Sequence, residues 1–361
     1  MVEAYLFFYE QFEDFFIGTT AEPPLAVAMS LAQRFDKCWL ALKNALQIVE
    51  IDLQQGDDAQ DIFETLNARG EPLLPADLLR NFIFLRAARR GEPQEELYKL
   101  HWVRFDDPFW RVEVKQGRLL RPRSDLFLQH LLASRLTVDI PVKHLFVEYK
   151  HWIDRAVPFA SVRDELACLA RQGNDFCRII APVKDDPLYD LATFLDAFDV
   201  RTCYPLLLTM LDTGLGEAQW AVVTTMVESY LLRRAVCGLT TKNYNRVFLA
   251  LTRNLRRDGV TLENLVKQLL EQSADSTEWP SDERFAEAWR TQHAYQVLNN
   301  PKIVHILKQL SDTYLSGKME GISISGELTV EHLNDLRIVQ HPIGVLRAPS
   351  LGEPFIGRPL G

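Results

Sequence analysis

The chain has 361 residues, with 47% hydrophobic and 25% charged positions, a balance that fits a folded globular protein and excludes wholesale disorder. Its net charge of −9 excludes a generally basic nucleic-acid coat. No run approaches the roughly 18 uninterrupted apolar residues of a membrane-spanning helix.

The N-terminal stretch MVEAYLFFYEQFEDFF is apolar but carries Glu3, Glu10, Glu13 and Asp14, so it lacks the basic start and uncharged middle of a signal peptide. The five cysteines (Cys38, Cys168, Cys177, Cys203 and Cys237) are scattered, with no CxxC pair. Reduced, mostly buried thiols are the expected state, no metal site is expected, and a cytoplasmic location follows.

Most of the chain reads as helix. Residues 25–46 and 125–136 place apolar side chains at three- and four-residue spacing. The segment 48–52 alternates and suggests one strand. Between Asp57 and Gly91 the local grammar is clear: Asp57 or Asp58 caps a helix through QDIFETLNA, and Gly70 stops it. Pro72 and Pro75 enforce an extended link. A second helix, ADLLRNFIFLRAARR, runs to Gly91. Further on, RVEVKQGRLLRPR (111–123) sets five basic residues against Glu113 and reads as a loop. Residues 221–239 are apolar for about four turns, then meet Arg233 and Arg234, with Gly238 as the stop.

From 271 to 282 the composition suggests a linker, followed by a last helical pair in which 285–298 is the weaker member. ISISGELTVEHL (322–333) alternates and is the best strand signal. Residues 342–361 hold four prolines and four glycines and read as a disordered tail.

Charge is uneven. Residues 1–66 hold twelve carboxylates against Arg34, Lys37 and Lys43. The stretch 233–257 holds Arg233, Arg234, Lys242, Arg246, Arg253, Arg256 and Arg257 with no Asp or Glu, interleaved with Tyr244 and Phe248. Such a stretch can hold a phosphate backbone and stack bases, although a solvated basic helix face is the commoner outcome.

The run IFETLNARGEPLLPADLLRNFIF (62–84) resembles the GmrSD-type restriction endonuclease family, in which an FE-x-LN-x-RG-x-x-L-x-x-x-DL-x-x-N pattern closes the nucleotide-hydrolysing half. Phe63, Glu64, Asn67, Arg69, Gly70, Leu73, Asp77, Leu78 and Asn81 match it. SYLLRRAVCGLTTKNYNRVF (229–248) resembles the family's helical region. WPSDERF (279–285) and LTVEHL (328–333) resemble the opening of its HNH-type nuclease half. The resemblance implies a phage-defence, restriction-modification role: nucleotide-dependent cleavage of modified foreign DNA, with Mg²⁺ or Mn²⁺ and a nucleoside triphosphate in the intact family and no cofactor in this chain alone. It implies Asn67, Arg69 and Asp77 beside a nucleotide, although a structural role is open for them too: a helix stop, a cap, and an Arg69–Asp77 pair. It implies His332 as the base that activates water, against a plain surface histidine.

Two departures qualify this. No DGQQR motif occurs, and Leu333-Asn334-Asp335 stands where the family carries Pro-Gln. His341, in QHP, is a weak substitute for a further ligand. The expected fold is therefore mainly α, a multi-helical domain with a short α+β C-terminal nuclease remnant and a disordered tail. The expected division is 1–92 (the end of the DGQQR-type domain), 93–270 (helical middle), 271–340 (truncated nuclease start) and 341–361 (tail). The expected function is a truncated fragment or subunit of a restriction system, DNA-interacting and without complete catalytic sites. The alternative is a catalytically silent helical protein that docks a partner carrying the DGQQR half, or self-associates, through Tyr5, Leu6, Phe7, Phe8, Phe12, Phe15 and Phe16.

Overall fold

The computed structural model describes residues 2–17, 29–45, 74–116, 119–274, 276–314, 329–332 and 344–347. The expected strand at 48–52, the helix through QDIFETLNA and the Gly70 stop lie outside them. By contact the chain divides into Met1–Glu71 and Pro72–Gly361. The protein is mainly helical, as expected, and among the described residues no helix is long and apolar enough to cross a membrane.

In the first unit, α1 (Val2–Ile17) packs against α2 (Leu31–Asn44). Ser30 starts α2 through a capping box: its hydroxyl accepts from the Gln33 N–H at 3.3 Å, and Gln33 Oε1 accepts from the Ser30 N–H at 2.9 Å. The Arg34 guanidinium then donates to the Phe15 and Phe16 carbonyls at 3.2 Å, satisfying the open end of α1. Both helices leave large apolar side chains exposed: Tyr5, Phe7 and Phe8 on α1, Phe35 and Trp39 on α2.

The second unit begins with α3 (Pro75–Arg89), where the sequence placed a helix. Gly91 takes the left-handed φ of +70° that ends it, as Gly238 does at +65° later on. Asp77 is not its N-cap. Leu74 holds that position without a side-chain bond, and the Ala76 N–H is satisfied from 49 residues away by Asp125 Oδ1 at 3.1 Å.

Short turns of helix follow: α4 (Gln94–Leu97), π-helix and 3₁₀ turns over 98–106, and α5 (Pro108–Arg111). The basic run 111–123, expected as a loop, instead forms an antiparallel hairpin of β1 (Glu113–Gln116) and β2 (Leu119–Pro122). Glu113 pairs with Pro122 and Gln116 with Leu119, so only Gly117-Arg118 join the strands. Pairing satisfies the main chain that a loop would leave to water.

Then come α6 (Arg123–Leu136), α7 (Leu145–Ala156), α8 (Val162–Ile180), α9 (Tyr189–Phe198), α10 (Tyr204–Leu211), α11 (Glu217–Val236), α12 (Tyr244–Asp258) and α13 (Leu262–Leu270). The short helix α10, YPLLLTML, is apolar all round and sits at the centre, buried against α6, α8 and α12. An aromatic cluster of Trp102, Phe105, Trp110, Phe127 and Phe176 fills the space beside it, with ring centroids 5.0–6.2 Å apart. The buried Glu165 carboxylate ties three helices together: it accepts from Arg86 of α3 at 2.6 Å and from the Tyr149 hydroxyl of α7 at 2.8 Å.

Residues 271–274 and 276–281 are irregular, as expected, but packed: the Tyr230 hydroxyl donates to the Thr277 carbonyl at 2.8 Å. The weak helical pattern at 285–298 resolves into α14 (Asp282–Thr291) and α15 (Ala294–Val297), broken at Gln292 and His293. The last helix is α16 (Asn300–Tyr314). Thr329–His332 forms β3, inside the expected strand, and pairs with β4 (Gly344–Arg347), a stretch expected to be part of an irregular tail. Thr329 pairs with Arg347 and His332 with Gly344, so the ladder supplies main-chain partners that composition alone did not reveal.

Candidate nucleic-acid interface

The basic stretch 233–257 divides into side chains occupied inside the fold and side chains facing water. Arg234 is fully buried, and its guanidinium donates to the carbonyls of Glu278 (2.8 Å), Thr240 (3.0 Å) and Ser276 (3.1 Å) between the Tyr230 and Tyr244 rings. Arg233 binds the Pro280 carbonyl at 3.1 Å and Asp282 at 2.5 Å. Together they lock the 276–282 segment onto α11.

Arg253 donates to the Thr137 carbonyl at 2.8 Å and Arg256 to the Ser134 carbonyl at 2.6 Å. These are the open carbonyls at the end of α6, where positive charge also suits the helix dipole. Arg257 pairs with its neighbour Asp258 at 2.7 Å. Lys242 and Arg246, at the start of α12, are exposed.

Because Arg253 and Arg256 clip α12 to α6, the N-terminal end of α12 faces the middle of α6 across a cavity of about 560 Å³. That volume lies in the roughly 300–1,000 Å³ range of ligand sites. Its walls come from four elements: Lys115 of β1, Gln129 and His130 of α6, Arg201 and Thr202 after α9, and Asn245 of α12, with Asp139 and Asp199 at its margin. The two basic segments of the sequence, 111–123 and 233–257, therefore meet at one site.

The walls are held in place. Arg201 donates to the Lys115 carbonyl, fastening the hairpin, and lies 3.8 Å from Asp199. Asp199 itself has the left-handed φ of 53° that turns the chain out of α9. Gln129 donates to the Ile140 carbonyl at 2.6 Å. The His130 ring stacks on Phe176 and meets Tyr204 edge-on at 5.1 Å. Burial, helped by the Arg201 charge, pushes its pKa down to about 4, so it is neutral at pH 7. The buried Thr202 Oγ1 has no hydrogen-bond partner. The lining thus combines the His130 ring and the Gln129 and Asn245 amides with two cations, Lys115 and Arg201, and two carboxylates, Asp139 and Asp199.

The other expected site residues lie elsewhere. Asn67 and Arg69 fall outside the described residues. Asp77 sits in the first turn of α3, 4.0 Å from Arg111, beside a cavity of about 30 Å³ that has room for one water. The His332 backbone ends β3, as expected. His341 lies outside the described residues. Among the described residues no group of three or more His, Cys, Asp or Glu is gathered to hold a metal, so the divalent ion implied by the resemblance finds no ligand set there. Sequence reasoning singled out neither His130, Arg201, Thr202 nor Asn245, and no spacing links them.

This geometry defines a helical protein with a cleft of mixed charge. Residues 1–84 match the family model described as the GmrSD restriction endonuclease, N-terminal domain, which supports the GmrSD-type restriction endonuclease family for the chain and agrees with the run at 62–84. No curated protein and no solved structure matches the chain.

Proposed function

We propose that this protein is a DNA-interacting component of a GmrSD-like restriction system that serves in defence against foreign DNA. The match of residues 1–84 to a restriction endonuclease domain carries the reading. The cleft supports it: Lys115, Lys242 and Arg246 are exposed on segments that converge on one cavity, while most of the remaining arginines of 233–257 serve the fold. Local positive charge of this kind attracts phosphate even on a chain of net charge −9. Duplex contact through these side chains is electrostatic and independent of base sequence.

The test is fluorescence anisotropy of a labelled duplex across a salt series. Affinity should fall linearly with salt on logarithmic axes. Lys242→Ala and Arg246→Ala should each weaken binding to all sequences alike and reduce the slope by about 1. Absence of binding at the lowest salt, where phosphate contacts are strongest, would overturn the proposal.

A further inference from the structure

A second cavity, of about 750 Å³, is framed by α9, α11, α14 and α16 and shares no residue with the cleft. Its size suits a small organic molecule. The walls are largely apolar, with Phe194 of α9 and, from α14, Phe285 and Trp289, whose ring centroids lie 5.8 Å apart. Two polar side chains on these walls have no hydrogen-bond partner among the described residues. His305 of α16 is nine-tenths buried, and its ring meets Phe194 edge-on at 5.6 Å. Burial lowers its pKa, so at neutral pH the uncharged ring has a lone pair to offer. Glu228 of α11 is half-buried and forms no ion pair; the charge that acts on it is that of the exposed Asp190, of the same sign. The two arginines of the lining are engaged elsewhere, Arg233 with Asp282 at 2.5 Å and Arg290 with Glu287 at 3.5 Å. A carboxylate left unpaired against apolar walls is costly, and a cation that donates to it offsets that cost. An anion would instead meet Glu228 and Asp190 together. Aromatic faces also attract a cation.

We infer that this cavity binds a small amphipathic amine, a protonated primary or secondary ammonium on an aromatic body. Glu228 accepts from the ammonium, and the neutral His305 ring supplies an acceptor for a second N–H. A quaternary ammonium, with no N–H to give, would leave both unsatisfied. The apolar body lies against Phe285 and Trp289. Nothing in this site depends on DNA contact.

The experiment is calorimetric titration of the full chain with two probes of one shape, tryptamine and its uncharged counterpart 3-ethylindole. It is run at about pH 8, where tryptamine keeps its charge and Glu228, raised to about 7, has largely lost its proton. Tryptamine should bind about tenfold more tightly than 3-ethylindole, as a charge-assisted hydrogen bond implies. Glu228→Gln keeps the shape of the side chain and removes its charge, so it should erase that preference while leaving the affinity for 3-ethylindole within about twofold. Trp289→Ala, at an exposed position, should weaken both probes alike. Equal affinity of the wild-type chain for the two probes would overturn the inference, as would failure of both to bind. A preference for tryptamine that survives Glu228→Gln, or affinities untouched by Trp289→Ala, would place the amine elsewhere and overturn it too.

Discussion

At the scale of single residues, the side chain most committed to the fold is Arg234. Its guanidinium donates to three carbonyls on segments as far apart as Thr240 and Glu278. Substituting methionine would remove all three bonds and the fully buried charge, and lysine offers one compact ammonium where a planar fork is needed. Arg234→Met should cost about 3–5 kcal/mol and Arg234→Lys about 1–3 kcal/mol, read as a lower urea midpoint. A variant of unchanged stability that loses DNA affinity would instead return Arg234 to the phosphate-binding set that its position in the sequence suggested. The sequence shows where the arginines cluster. It does not show which of them face inward, because that depends on carbonyls contributed by a loop more than 40 residues later.

At the scale of elements, α8 is set against the aromatic cluster at one glycine. A Cβ built on Gly173 would stand 2.9 Å from Phe105 Cε1, closer than real contacts come. The Phe105 ring cannot swing aside, since Trp102, Trp110 and Phe127 surround it. Alanine gains about 1 kcal/mol of helix propensity over glycine, but overpacking costs about 1–3 kcal/mol. Gly173→Ala should therefore lower the unfolding midpoint despite its better propensity, and a raised midpoint would show that α8 can slide.

The elements were also where the sequence was most legible. Helical spacing placed α2, α3, α6 and α11, and Gly91 and Gly238 marked two of their ends. The hairpin was missed because its charge density suggested a loop, although Gly117-Arg118 between Gln116 and Leu119 is a two-residue turn signal. The break at Gln292 was missed because the spacing of 285–298 continues across it. The cleft was invisible: its residues come from four elements and share no motif.

At the scale of the whole molecule, buried titratable groups pull stability in opposite directions with pH. Burial raises Asp125 to about 6, against the pull of the Ala76 N–H, and raises Glu228 to about 7, helped by the Asp190 charge. Each bears a proton in the fold that it has lost in the unfolded chain. Their contribution is fully present below about 4 and is lost as pH rises through 6 to 7. His130 does the reverse: lowered from an ordinary value of 6.5 to about 4, it contributes above 6.5 and loses that contribution as pH falls. His305 is lowered in the same direction by burial. Between about pH 4.5 and 6.5 the carboxyl and histidine contributions oppose one another. The double variant Asp125→Asn, Glu228→Gln removes both of these carboxyl contributions and keeps those of the histidines. Its urea midpoint should then drop as pH falls across that window, by on the order of 2 kcal/mol in stability. A variant profile parallel to that of the wild type would show that the carboxyl groups are better solvated than their burial implies.

The cap that Asp125 places on α3 has a practical corollary for anyone who dissects this polypeptide. Family match and packing draw their borders in different places: the matched segment runs to residue 84, whereas the second compact unit starts at Pro72. Scissors applied at the end of the matched segment would strand Leu79 and Ile83, both without exposed surface, on a severed stub and bare the seat they fill. Severing ahead of Pro72 would leave that seat occupied.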